Sequence, residues 1–357
     1  MESQPRNVLF RDALAKDLDT EIAECGGAIH LAERIALANQ GRDPKLFRVD
    51  RRKLADLAAA RPVKITFFEL DAIDAYLSQR GRGLLTLLQK RSILKPLVQS
   101  GRIGFLVGSK PHDSNTVLSR WDVLSLSNIQ RSLDRHMTGV RFTIEDVLLR
   151  SAVATPERSF ASERWFQLIQ GSEPTTLITF GSPRANNAAE CMLSAMFGFP
   201  AFVPADPASG SIPPFLFVSS QRLQSASCMA YHDPRVGNSM PGEKLRSQYV
   251  GVKVQNETFG LERTGEYTKE YGLLAIQKRR SQIWVVIAGM TGPATYAAEH
   301  VFEELAVELP SAGPATNSAV MWGVVETRVA RRPGRMGDDR EVVSQGLLGD
   351  LKLWPHR

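Results

Sequence analysis

Three short segments of this 357-residue chain pair a glycine with a hydroxyl in a pattern suited to an anion. Gly108 and Ser109 lead into Lys110 and Pro111. Gly181 and Ser182 lead into Pro183, Arg184, Ala185 and Asn186, and Gly289 leads through Met290 and Thr291 to Gly292 and Thr295. Each segment follows an apolar run that reads as a strand, and the last two run on into stretches that read as helices. Glycine there lets backbone approach a ligand closely, and a helix start offers free N–H groups and positive potential to phosphate or carboxylate. Arg184 is the side chain best suited to such a ligand, because its planar fork holds two oxygens at once. Asn186 can serve the ligand or cap the helix that follows.

Other residue sets offer less. None of the phosphate-loop, dinucleotide-fold or nucleophile-elbow patterns occurs. Glu145 and Asp146 are neighbours on an expected strand and so point to opposite faces. Glu190 and Glu299 fall on helices just beyond the glycine turns, where solvated helix faces are expected. No acid/base pair emerges, so catalysis is not the first expectation. The three cysteines are widely spaced and read as core residues, and the six histidines lack HxxxH or HxH spacing, so no metal site is expected. Gly181, Ser182, Pro183 and Arg184, followed by two asparagines, resemble the phosphate loop of flavodoxin-like FMN reductases. That resemblance implies a phosphate held between a strand end and a helix start. The residues themselves specify no cofactor beyond a nucleotide-like anion.

A second chemistry lies nearer the N-terminus. Arg42, Lys45, Arg48, Arg51, Arg52, Lys53, Arg61 and Lys64 face only Asp43, Asp50 and Asp56. Arg51, Arg52 and Lys53 fall in the first turn of an expected helix, where the macrodipole disfavours cations by about 0.3–1 kcal/mol each. Accepting that cost points to an anionic partner, with Arg48, Arg51, Arg52 and Lys53 as candidate DNA contacts. A solvated helix face in an assembly module is the alternative.

The elements that would carry these residues follow from periodicity. Helices are expected over 8–24, ending at Gly26 and Gly27, and over 28–39 with Leu31, Ile35 and Ala38 on one face. A third, over 51–60, is capped by Asp50 and stopped by Pro62; a fourth begins at Thr66 with a capping box to Glu69 and closes at Gly81. The helices over 28–39, 51–60 and 66–80 resemble the compact helical bundle of Cro/C1-type helix-turn-helix regulators, with a longer connection over 40–49 than that family's short turn. The resemblance implies a helix that reads the DNA major groove, and a homodimer if the operator is two-fold.

From residue 101 the rhythm changes. Strands are expected over 103–107, 140–149, 176–180, 215–218, 273–276, 283–288 and 320–325, with helices over 126–136, 187–197 and 295–305. At the C-terminal end two extended segments, 320–329 (continuing the strand over 320–325) and 341–353, flank a basic loop over 331–335. The fold class expected is α/β: a helical, helix-turn-helix-like module over 1–100, then a Rossmann-like, mainly parallel α/β ligand-binding domain over 101–357. No apolar run approaches the roughly 20 residues of a membrane span, and the N-terminus lacks the layout of a signal peptide, so a cytoplasmic protein without a membrane partner is expected. The function expected is a DNA-binding transcriptional regulator that senses a small anionic ligand. The rival is an enzyme acting on a nucleotide or related phosphorylated compound; carboxylates converging beside the turns would favour it.

Overall fold

The computed structural model describes residues 10–45, 48–59, 61, 67–80, 93–112, 115–136, 140–149, 155–206, 212–220, 227–233, 249–305, 309–310, 316–331 and 340–355. They divide into two compact units, one of residues 6–95 with 304–308, the other of 96–303 with 309–357. No helix among them is long and apolar enough to cross a membrane.

The helical unit contains α1 (Phe10–Cys25), α2 (Ala28–Ala38), α3 (Arg51–Ala58) and α4 (Phe67–Gln79). Leu18 of α1, Leu31 and Ile35 of α2, Leu54 and Leu57 of α3 and Ile73 and Leu77 of α4 meet in one buried cluster. The apolar stripes are thus spaced as the sequence requires. Asp50 caps α3, its side chain accepting from Arg52 N at 2.7 Å. Thr66, the expected cap of α4, lies outside the described residues. Fully buried Glu21 binds α1 to α4: it accepts from Tyr76 OH at 2.9 Å and pairs with Arg80 Nε at 3.0 Å.

After α5 (Leu94–Val98) comes a mixed α/β architecture whose central strands run parallel. β1 (Arg102–His112) lies between β3 (Arg141–Leu148) and β4 (Thr175–Phe180), and β4 pairs on its other side with β11 (Gln282–Gly289), all in parallel. Every residue of β4 is buried, as both faces of a parallel centre demand. β2 (Asn115–Leu118) returns antiparallel along the far end of β1. Beyond β11 the sheet turns antiparallel through β10 (Tyr267–Arg279), β12 (Val320–Arg331) and β13 (Arg340–Leu347), with short β9 (Glu262–Thr264) and β14 (Lys352–Trp354) attached. β10 extends far past the expected 273–276, because its polar ends are held by pairing with β9 and β12 rather than by burial. The described residues of the expected basic loop end at Arg331; the rest lies outside them.

A second sheet orders β6 (Ala230–His232), β5 (Phe215–Ser219), β7 (Tyr249–Val254) and β8 (Glu257–Gly260). Its inner residues Phe217 and Val252 join α8 (Arg164–Gln170) and α9 (Asn187–Phe197) in a core against Leu106, Leu177 and Val286 of the central strands. α7 (Pro156–Ser159) leads into α8. The other face of the central sheet carries α10 (Gly292–Glu303), which packs closely on Gly272 of β10, and α6 (Arg120–His136) lies against α10.

Candidate functional site

The glycine segments meet. At the carboxyl ends of β1, β4 and β11 is a cavity of about 530 Å³ lined by Gly108, Lys110, Ser119, Asp122, Gly181, Ser182, Arg184, Tyr249, Gly289, Thr291, Gly292, Thr295 and Arg340, among others. Seven of the nine expected ligand positions are in that lining: Gly108, Gly181, Ser182, Arg184, Gly289, Thr291 and Gly292.

The glycines serve a purpose other than the one expected from sequence. A Cβ on Gly108 would lie 2.3 Å from the Ala185 carbonyl oxygen, and one on Gly289 would lie 2.2 Å from Thr295 N. Neighbouring backbone already fills those spaces, so these glycines let the segments close on one another. Gly181 has φ 92°, a conformation that side chains disfavour, as the chain turns from β4 toward α9. The turn after β11 is knit together: Gly289 N donates to Thr295 Oγ1 at 3.0 Å, and Thr295 Oγ1 donates to Thr291 O at 3.1 Å. Thr291 Oγ1 also donates to the Glu270 carboxylate.

Ser109 and Asn186 are corrections. Gly108 and Ser109 do not form a turn after a strand, because β1 continues to His112. Strand alternation aims Gly108 and Lys110 at the cavity and turns Ser109 away, fully buried. Asn186 is also fully buried and is consumed by structure. It caps α9 by accepting from Ala188 N at 2.9 Å, and its amide donates to Leu106 O, Thr179 Oγ1 and Phe180 O. It clamps β1, β4 and α9 together.

The residue that sequence reasoning missed is Asp122. It lies in the first turn of α6, is 6% exposed and faces the cavity, where a Cβ on Gly181 would stand 3.9 Å from its Oδ2. No hydrogen bond among the described residues holds its carboxyl. Burial pushes its pKa up to about 7, against the opposing pull of Lys110. The spacing from Ser119 to Asp122 is that of a capping box, which conceals any other role. Across the cavity, burial lowers the pKa of Arg184 while Tyr249 raises it. Trp121 packs against Gly292, where a Cβ would lie 2.3 Å from its ring, and so joins α6 to the start of α10.

Family models, curated proteins and solved structures gave no match to this chain.

Another cavity, of about 580 Å³, lies toward the amino ends of β4 and β11, with Ser172, Arg279, Arg280 and Gln282 in its lining. It lacks the glycine turns and the unbonded buried carboxyl, and it is at the end of the parallel strands where neither the dipoles nor the loops gather on a ligand.

Both expected surface glutamates are buried, which corrects that expectation. Glu190 accepts from Phe202 N and Cys228 N, each at 2.8 Å, and from Ser227 Oγ at 2.6 Å, so it organises two crossing loops. Burial raises its pKa while those bonds lower it, the balance being upward. Glu299 is discussed below. The three cysteines are buried and free, as expected.

In the helical unit, Arg48, Arg51 and Arg52 are exposed. Lys53, an expected DNA contact, is instead engaged within the unit: its Nζ donates to both oxygens of Glu69, at 2.7 and 2.9 Å, because α4 brings that buried carboxylate beside α3.

Proposed function

We propose that the α/β unit, read as Rossmann-like, receives a small anionic, nucleotide-like ligand in the cavity at the ends of β1, β4 and β11, and that ligand binding adjusts DNA binding by the helical unit. The observation that carries this reading is the convergence of Gly181, Ser182 and Arg184 with Gly289, Thr291 and Gly292 around one cavity, with Lys110 and Arg340 adding positive charge. Among the described residues Asp122 is the one carboxylate in its lining, so no pair of carboxylates converges there. The exposed Arg48, Arg51 and Arg52 support the DNA half of the reading. Ligand control requires only that the ligand favour one state of the chain over the other.

Calorimetric titration of the full chain with ribonucleoside monophosphates and diphosphates tests the first half. Binding is expected in the wild type and at least about tenfold weaker in Arg184→Ala, the loss of one charged hydrogen-bonding partner. Absence of binding by every nucleotide would refute the reading. For the second half, a DNA titration against salt is expected to show a shallower slope in Arg51→Ala/Arg52→Ala, and a dependence on the nucleotide found to bind.

Asp122 supports a second reading. A buried carboxyl with a pKa near 7 beside an anion site is poised to exchange a proton with a bound nucleotide. Turnover of a bound nucleotide by the wild type, lost in Asp122→Asn while binding persists, would make the protein an enzyme.

A further inference from the structure

α10 starts at the cavity, but its last turn carries a separate group of donors. Glu299 and Glu303 are one turn apart on one face of the helix, and His300 is adjacent. The nearest oxygens of the two carboxylates and a ring nitrogen of His300 all lie within 4.8 Å of one another. Glu299 is 0% exposed and has the Glu303 and Asn128 side chains as polar neighbours, yet neither of its oxygens makes a well-formed hydrogen bond among the described residues, and Oε1 of Glu303 makes none either. No lysine or arginine among the described residues pairs with either carboxylate. Two acidic groups held together, one fully buried and the other half-buried, with orphaned oxygens, are costly unless something positive satisfies them.

We propose that Glu299, His300 and Glu303 bind a first-row divalent cation of the Zn²⁺ or Mn²⁺ type. Two carboxylate oxygens and an imidazole nitrogen suit such an ion better than Ca²⁺ or Mg²⁺, which favour oxygen-only shells. The spacing is also suitable. Donors about 2.0–2.2 Å from Zn²⁺ stand roughly 3.4 Å apart in a tetrahedral shell, and His300 Nδ1 is 3.7 Å from Glu299 Oε2. Tyr296 holds the imidazole in place, its ring meeting that of His300 edge-on at 4.4 Å, while Asn128 of α6 donates to the Tyr296 hydroxyl at 3.3 Å. His300 and Glu303 are half-buried, so water can complete the coordination from the open side. Two carboxylates and one dication sum to zero charge, which removes the electrostatic objection to burying Glu299.

The competing explanation is that Glu299 and Glu303 share a proton and bind nothing. Chelator-treated full-length protein titrated with Zn²⁺ separates the two, followed by calorimetry and by the visible spectrum of the Co²⁺-loaded form. The proposal expects one saturable ion per chain, undisturbed by excess Mg²⁺, with affinity at least about tenfold weaker in His300→Ala and in Glu303→Gln. Both variants change half-buried side chains, so folding is expected to survive and is checked by circular dichroism. The Co²⁺ spectrum should change in His300→Ala, because an imidazole leaves the shell. The proposal fails if the wild type binds no Zn²⁺ or Mn²⁺. It also fails if both variants bind as the wild type does, or if only Ca²⁺ and Mg²⁺ bind. Nucleotide binding at the cavity does not enter this test, so the two sites can fail separately.

Discussion

The α3 face of the helical unit and the cavity of the α/β unit both present positive charge, but they are built differently. Arg48, Arg51 and Arg52 are close in sequence and solvent-exposed, and nothing beyond one helix and its lead-in is needed to display them. The cavity draws Lys110, Asp122, Arg184, Tyr249 and Thr291 from five separate stretches, and the backbone that gathers them is so tightly packed that a methyl group cannot be added at Gly108 or Gly289. Surface charge of the first kind costs little to change. A site of the second kind couples recognition to stability, because the same contacts that shape it hold the sheet ends together.

The largest expected effect comes from breaking that coupling. Gly289→Ala forces its Cβ onto Thr295 N, and a loss of about 3 kcal/mol or more is expected by urea denaturation, together with loss of any nucleotide binding. A cost below about 1 kcal/mol would mean the segments are held apart more loosely than the geometry states.

Next is Asp122. Its carboxyl titrates near 7 in the folded chain and near 3.8 when unfolded, so between those values the folded state holds the extra proton. Stability therefore falls as pH rises from about 4 to 7 and is level above, by a few kcal/mol in total, on the order of 1.4 kcal/mol for each unit. Asp122→Asn should flatten that slope and stabilise the protein at pH 8. A wild-type curve that rises over this window, with no change in the variant, would remove Asp122 from the account of the cavity.

Smaller effects belong to the helical unit. Lys53→Ala removes its ion pair with the buried Glu69 and should cost about 1 kcal/mol in thermal unfolding, with any DNA affinity unchanged. Arg51→Ala/Arg52→Ala should do the reverse, with stability within about 0.5 kcal/mol and a reduced salt slope in DNA binding. If Lys53→Ala reduced DNA binding as much as the arginine pair did, the distinction between a structural and an exposed cation on α3 would collapse.

These differences follow how far each feature was legible in the sequence. Local rules set the helices: apolar spacing and Asp50 place α3, the glycine pair at 26 and 27 separates α1 from α2, and Asn186 starts α9 at Asn187. The same rules located the apolar strands β4 and β11 and the glycine turns that follow them. They did not show that β1 runs on past Gly108, since a strand continued by hairpin pairing need not be apolar. Nor did they reveal β9 or the polar ends of β10, which are held by strand pairing rather than by an apolar pattern.

For side chains the division is sharper. Sequence alone determined which residues can bind an anion, because that is a property of residue type and of strand-to-helix turns. Only the tertiary structure decided which of them face the cavity and which are consumed by the fold. Lys53 went to Glu69, Asn186 to three neighbouring acceptors, and Glu190 to two loops, whereas Asp122 and Glu299 kept carboxyl oxygens with no well-formed hydrogen bond among the described residues. The reason is that hydrogen-bond satisfaction and burial depend on what the remainder of the chain brings alongside, and a spacing pattern holds no record of that.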